Sequence, residues 1–324
     1  MFAALDLHKT SIQAVMKDGS GGMVKEERLQ RNAESVISFL GNTNATIVME
    51  SGYNHQHICD LLREKGYSVK VAHPFMVKAI AYASVKTDRV DARVLADLLR
   101  ANMIPECYVP TMEVREVRDL SRRRHYFVSE RTRFKNKIHA ELDRRWIDCS
   151  GDLFTAKGRE YLRSLNIEAV NDYLDAIEFL NRKISELDRE IEAATRNDRY
   201  ARLLITIPGV SHYSALLISA EIADINRFPD EEHLCSYARL APAVRQSADK
   251  RYLTPNRRGS GMLNWILIQC AHTHVRTCNS SITRHYNKLR ERKGVKVATV
   301  AAARKLLCAV YFMLKEDRPF RMDG

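Results

Sequence analysis

The sequence predicts an α/β N-terminal domain, a helical coiled-coil linker and a mainly α-helical C-terminal domain, and three observations predict it. Strand and helix signals alternate over residues 1–108, and the helical stretch at 109–200 contains an apolar heptad from Ile177 to Ala194. From 201 to 324, apolar helical stretches are punctuated by a Pro-Gly turn and by clusters of arginine and lysine. At 324 residues the chain is long enough to bury more than one core.

Strand signals at 2–8 and 11–17 flank a polar turn, and Gly19-Ser20-Gly21-Gly22 leads to a third at 23–29. A helix is expected from 32 to 41, a strand over Thr46-Ile47-Val48-Met49-Glu50, and a helix from 54 to 65 that stops at Gly66. A short strand follows from Tyr67 to Ala72, Pro74 opens another helical segment, and a further helix starts near Asp88. Three strands, a helix, a strand and then alternating helix and strand is the order of the RNase H fold. In that fold acidic residues cluster on neighbouring strands and a late helix.

Four acids fall at such places. Asp6 lies inside the apolar Phe2-Ala3-Ala4-Leu5-Asp6-Leu7, where a carboxylate is costly to desolvate unless it is paired or binds a cation. Glu50 ends a strand, although an acid before Ser51-Gly52 also reads as a solvated turn residue. Asp88 and Asp91 stand three apart and share a helix face, although Asp88 also reads as an ordinary N-cap with Asp91 reaching back to it. Together the four acids can hold Mg²⁺ ions, with Mn²⁺ a plausible substitute, for phosphodiester chemistry. The eleven histidines form no convincing ligand set, and His55 and His57 read as surface or turn residues. Seven scattered cysteines without C-x-x-C spacing argue for reduced thiols.

In the middle, Ile177, Leu180, Ile184, Leu187, Ile191 and Ala194 alternate spacings of three and four, a heptad seam. A basic helix from about 113 to 146 is its candidate antiparallel partner, either within one chain or as part of a dimer. Beyond 201, Ile207-Pro208-Gly209-Val210 between apolar helices resembles a helix-hairpin-helix turn, which sets backbone N–H groups against a phosphate. A loop-like stretch covers Leu240 to Arg251, and a long amphipathic helix starts at Met262. Ser247, flanked by Arg245, Lys250 and Arg251, can contact a phosphate or attack one, and elementary chemistry favours the contact.

Charge is regional. Residues 239–324 hold 18 Lys+Arg against 5 Asp+Glu, and 114–145 hold 11 against 5, within a chain of net charge +12. Two positive blocks are the footprint of a polyanion such as DNA or RNA. No apolar run approaches the roughly 18–20 residues that span a bilayer, and no leader pattern opens the chain. It therefore reads as cytoplasmic, associated with the nucleoid when bound to DNA, and without a membrane partner.

The four acids, the Lys86-Thr87-Asp88-Arg89-Val90-Asp91-Ala92 segment, the Ile207-Pro208-Gly209-Val210 turn, and Leu240-Ala241-Pro242 followed by Ser247 and basic residues carry a resemblance. The chain resembles the DEDD transposases of prokaryotic insertion sequences, the family typed by insertion sequence one-ten, along nearly its whole length. The resemblance implies a RuvC-like nuclease domain at 1–108, a coiled-coil linker at 109–200 and a transposase domain at 201–324. It further implies a recombinase acting on donor and target DNA, selected by a structured noncoding guide (bridge) RNA. Asp6, Glu50, Asp88 and Asp91 match the metal-binding tetrad, and Ser247 matches a nucleophile that forms a phosphoserine link to DNA.

Arg245, Lys250, Arg251, Arg257 and Arg258 are the expected nucleic-acid contacts. A homo-oligomer, dimer or tetramer, is expected to bring serine and tetrad together from different subunits. One departure stands out: the family usually has glycine directly after the serine, whereas Ala248 and Asp249 follow here. Ser260, which precedes Gly261, is a rival, but its Arg-Arg-Gly-Ser context corresponds better to the downstream basic segment. A RuvC-like Holliday-junction resolvase or nuclease would need the acids without the serine. A non-catalytic nucleic-acid-binding protein would need neither.

Overall fold

In the computed structural model the chain divides into two compact units, Met1–Pro110 and Thr111–Gly324. The structure describes residues 1–52, 55–80, 87–149, 151–247, 250–254, 256 and 258–322, with 243–247 and 250–253 described by backbone alone.

The first unit forms the expected elements within one or two residues of their anticipated ends. They are β1 (Phe2–Leu7), β2 (Ser11–Lys17), β3 (Met23–Gln30), α1 (Ala33–Leu40), β4 (Thr46–Glu50), α2 (His55–Glu64), β5 (Ser68–Ala72), α3 (Pro74–Ile80) and α4 (Asp88–Arg100). The five strands make one sheet in the order β3-β2-β1-β4-β5. β1, β2 and β3 pair antiparallel, whereas β1, β4 and β5 run parallel. The period of two sends alternate residues to opposite faces. Ala3, Leu5, Ile12, Ile47 and Met49 form a core with Val36, Phe39 and Leu40 of α1 and Ile58 and Leu62 of α2. Ala4, Val15 and Val48 face the other way, onto Ala92, Leu95, Ala96 and Leu99 of α4.

Two ion pairs hold α4 on that face. Arg93 grips Glu26 of β3 through Nε (3.2 Å) and Nη2 (2.5 Å), and Lys17 of β2, itself buried, lies 2.6 Å from Asp97. The helix starts one residue earlier than an Asp88 cap requires. Thr87 is the N-cap, its hydroxyl accepting from the Val90 N–H at 3.3 Å, and Asp88 is the first helical residue. A threonine in extended conformation does the capping, which leaves both aspartates in the first turn, where the helix dipole favours them.

The second unit is built on α5 (Met112–Asp143), α6 (Ala156–Ser164), α7 (Glu168–Asn197), α8 (Arg199–Leu204), α9 (His212–Ile222), α10 (Glu231–Tyr237), α11 (Gly261–Thr277) and α12 (Ser281–Glu316). α5 and α7 lie antiparallel within the chain. Arg123 meets Glu190 (3.4 Å), Arg124 meets Asp188 (2.5 Å) and Arg131 meets Asn181 (2.9 Å), the partner numbers falling as those on α5 rise. The heptad residues Ile177, Leu180, Ile184, Leu187 and Ile191 are all buried among helices of this unit.

α9 is buried along almost its whole length. Gly209 adopts φ +90°, and a Cβ there would stand 2.7 Å from the His274 amide, so the Pro-Gly turn lies flush on α11. His274 fixes this corner, its Nδ1 donating to the Pro208 carbonyl (2.7 Å) and its Nε2 lying 2.8 Å from the Ser280 hydroxyl that caps α12. α12 is kinked at Gly294 (φ +80°). By length and composition α12 is apolar enough to cross a bilayer, a feature the run-by-run reading passed over, but 56% of its apolar window is buried inside the unit. Ala298, Ala302, Leu306, Leu307, Val310 and Leu314 belong to the main core.

The stretch read as a loop contains a hairpin, β6 (Ala243–Ser247) with β7 (Lys250–Thr254), paired antiparallel so that Ser247 stands opposite Lys250. Neither strand carries an apolar alternation, so its pairing rests on backbone hydrogen bonds, which leave little trace in composition.

At the start of α11, Ser260 accepts from the Leu263 N–H (3.0 Å) and donates to Oε2 of Glu221 (2.8 Å). Glu221 is 1% exposed and also takes Arg122 through Nη2 (2.6 Å) and Nε (3.1 Å). Ser260→Ala removes a cap and a donor to a buried carboxylate, and is expected to cost about 1–3 kcal/mol in urea unfolding. A loss below about 0.5 kcal/mol would show that the hydroxyl is not structural.

Candidate active site

The parallel pairing of β1 with β4 sets the first two acids. The register runs Phe2 with Thr46 to Leu5 with Met49, and one step further along each strand come Asp6 and Glu50. By the alternation, Asp6 shares the face of Ala4, and Glu50 that of Val48, which is the face α4 covers. On α4, Asp88 is four residues before Ala92 and Asp91 four before Leu95, so the stripe that packs on the sheet ends in these carboxylates.

Asp6 is half-buried, its side chain 16% exposed against 61% for Asp88. Burial raises its pKa above the usual aspartate value, the charges of Asp88 and Asp91 push the same way, and His8 opposes them. Asp88 and Asp91 are therefore close enough to act on Asp6 electrostatically.

His8 is the residue sequence reasoning missed. Its Nε2 lies 3.0 Å from Oδ2 of Asp6 and 3.3 Å from Oδ2 of Asp88, between the two carboxylates. One ligand atom from each of Asp6, His8 and Asp88 falls within 4.8 Å of the others, a spacing at which all three can hold one cation. The signal was present: residue 8 follows Asp6 by two, the strand period that returns to the same face. Two carboxylates with an imidazole suit Mn²⁺ as well as Mg²⁺, since nitrogen ligands favour the softer ion.

Ser247 ends β6, and its side chain, with those of Arg245, Lys250 and Arg251, lies outside the described residues, as does Arg257. Arg258 is exposed. Ser260, the rival, is committed to Glu221 and the α11 cap. Gly259 before it is itself architectural: it has φ +100°, and a Cβ there would fall 2.1 Å from the Tyr237 carbonyl oxygen.

The two positive blocks differ in their surroundings. On α5, Arg118 donates to the carbonyls of Ala220 and Glu221, and Arg122, Arg123 and Arg124 pair with acids of α9 and α7. That block largely holds helices together. Around the Gly294 kink of α12, by contrast, Arg284, Lys288, Arg290, Arg292, Lys293 and Lys296 are all exposed. Among the described residues none of the six has a carboxylate within 4 Å. Sequence counts alone give these blocks the same meaning.

Known proteins match the chain in sequence. A transposase family model of the DEDD, IS110 type matches residues 3–147, and one described as Transposase IS116/IS110/IS902 family matches 201–287. The chain is 25% identical to the transposase for insertion sequence element IS1111A of Coxiella burnetii, over 98% of its own length and 90% of the relative's. It is also 25% identical to a probable family 20 transposase of Pseudomonas aeruginosa, over 98% and 97%. A pilin gene-inverting protein of Moraxella bovis is 26% identical, over 78% of the chain and 74% of the relative.

Because the ionised form of Asp6 is disfavoured in the fold, Asp6→Asn is expected to raise the melting temperature in metal-free buffer at neutral pH. The same variant should lose the stabilisation that millimolar Mn²⁺ gives the wild type. A variant that melts lower without metal, and is still stabilised by Mn²⁺, would remove Asp6 from the cation site.

Proposed function

The chain belongs to the IS110 transposase family, and from that premise we propose that it cuts and exchanges DNA strands as the recombinase of an insertion sequence. In this reading, residues 1–108 are a RuvC-like nuclease domain, 109–200 a coiled-coil linker and 201–324 a transposase domain with a helix-hairpin-helix-like turn. A structured noncoding bridge RNA selects donor and target, and the protein works as a homo-oligomer. The observation that carries the proposal is the half-buried Asp6 beside the first turn of α4, with Asp88 and His8 around it. Strand order β3-β2-β1-β4-β5 supports an RNase H-type frame for it.

Asp6, Glu50, Asp88 and Asp91 are the residues proposed to hold Mg²⁺, with His8 as a neighbour. A bound divalent ion there would polarise a phosphodiester and stabilise the charge that builds up on its oxygens during displacement. The protein's own part is to fix the carboxylates before the cation arrives, through the Glu26–Arg93 and Lys17–Asp97 pairs that seat α4.

The proposed nucleophile is Ser247. Its Oγ loses a proton and attacks phosphorus, the bond from phosphorus to the 3′ oxygen breaks, and the strand leaves with a 3′ hydroxyl. The 5′ phosphate stays on the serine as an ester that a second 3′ hydroxyl can attack, so rejoining needs no outside energy source. The structural engagement of Ser260 supports Ser247 over it, and the name of the Moraxella relative, a gene-inverting protein, supports strand exchange over simple hydrolysis. The cations around Gly294 are the proposed phosphate surface.

With a suicide DNA substrate and a supplied guide RNA, denaturing gels are expected to show a protein–DNA adduct in wild type and in Ser260→Ala. In Ser247→Ala the adduct should be absent. An adduct that survives Ser247→Ala, or that maps to Tyr252, would remove Ser247 as nucleophile. Replacing Arg292, Lys293 and Lys296 together by alanine should weaken DNA binding and lower the slope of log affinity against log salt by about 2–3. An unchanged slope would place the phosphate contacts elsewhere.

A further inference from the structure

A pocket of about 390 Å³ opens between the start of α12, its C-terminal half and the segment that follows it. Phe312, 40% exposed, lines it together with the buried Met313 and Ile282. The rim is cationic, formed by Lys305, Arg318 and Arg321. Arg318 has a partner in Glu316 at 2.6 Å, whereas among the described residues no carboxylate lies within 4 Å of Lys305 or Arg321. The following segment is pinned in place, since the Phe320 N–H donates to the Thr206 hydroxyl (2.9 Å) and the Phe320 ring meets His274 edge-on. The pocket is therefore preformed rather than dependent on a loose tail.

We infer that this pocket binds one unstacked nucleotide of a single strand, the base lying on Phe312 and the backbone phosphate between Lys305 and Arg321. It rests on the nucleic-acid reading of the chain and adds to it a place where a base is held outside a duplex. Three features carry the inference. An exposed aromatic ring binds any base by stacking, and Lys305 and Arg321, which have no carboxylate within 4 Å among the described residues, can meet a phosphate beside it, Lys305 giving up only a 3.4 Å hydrogen bond to the Ser281 carbonyl. The volume falls within the range of small-ligand sites, and the mixture of apolar floor and charged rim fits a nucleotide better than an apolar ligand. A duplex keeps its bases stacked inside and offers this pocket nothing to insert, so the occupant is single-stranded DNA or RNA.

The pocket contains its own reporter. Cys308 lines it, with its Sγ 3.8 Å from that of Cys235. The hydrogen bond from Cys235, helped by Arg304, lowers the Cys308 thiol to about 7 although burial opposes the shift, while the Cys235 thiol moves upward. Cys308, half-exposed where Cys235 is buried, is thus the more accessible of the pair.

The test measures iodoacetamide alkylation of Cys308 in the full chain by peptide mass spectrometry, with oligothymidylate, oligouridylate or a duplex of equal length present. Binding of each is followed in parallel by fluorescence polarisation. A saturating single strand is expected to slow alkylation at Cys308 by about fivefold or more while Cys149 reacts as before, and the duplex should not. Which of the two oligomers protects at lower concentration identifies the strand as DNA or RNA. Phe312→Ala and Arg321→Glu, checked for an unchanged melting temperature, should lose the protection and bind the single strand about tenfold more weakly. Phe312→Trp should keep it, and its emission should be quenched by the oligomer beyond any quenching in wild type. If the oligomers bind while Cys308 reacts at its free rate, or Phe312→Ala is protected like wild type, the pocket assignment is overturned and the nucleic-acid reading stands. If no nucleic acid binds at all, both fall.

Discussion

A carboxylate at Asp6 has to be compensated by something other than bulk water, and what the chain offers is the first turn of α4 with His8. That requirement organises the first unit. β1 sits at the centre of the sheet and is covered on both faces, so any polar residue along it must look toward a partner. Asp6 looks toward two more acids, which alone would worsen its position; the net effect of burial and of Asp88 and Asp91 is to favour its protonated form. The surrounding apolar contacts of Ala92, Leu95, Ala96 and Leu99 hold α4 in place against that repulsion.

The two pairs that seat α4 are therefore as much part of the site as the acids. Glu26 and Asp97 lie on different elements, one on β3 and one on α4, and each takes a cation from the opposite side of the interface. Such pairs contribute modestly to stability where they are exposed. Their importance is directional: sliding α4 by one turn would move its ends by about 5.4 Å, enough to separate Asp88 from Asp6.

In the second unit the comparable node is Glu221. One carboxylate joins α5 through Arg122 and the head of α11 through Ser260, and its backbone carbonyl accepts from Arg118 and Arg227. The carboxylate is buried while the Arg122 side chain is 47% exposed, so removing the arginine leaves a buried charge without its cation. It specifies which helices meet. It also explains why net charge misleads on α5, where arginines answer internal acids and carbonyls, whereas the Gly294 kink of α12 displays its cations to solvent.

Much of the fold was legible along the chain. Strand signals bounded by turn residues located all five strands of the first unit, the heptad located α7, and the order of elements with four spaced acids pointed to the family before any contact was known. Those signals are local: period, turn chemistry and burial preference act over a few residues and survive in a linear string. Tertiary structure decided the rest. Thr87 rather than Asp88 caps α4 because the backbone turns one residue earlier; His8 joins the acids because β1 and α4 meet; β6 and β7 pair through backbone groups that all residues share; and Ser260 is held by a glutamate 39 positions away. Each of these depends on which distant groups come within a few ångströms of one another, a quantity fixed by packing that sequence spacing does not encode.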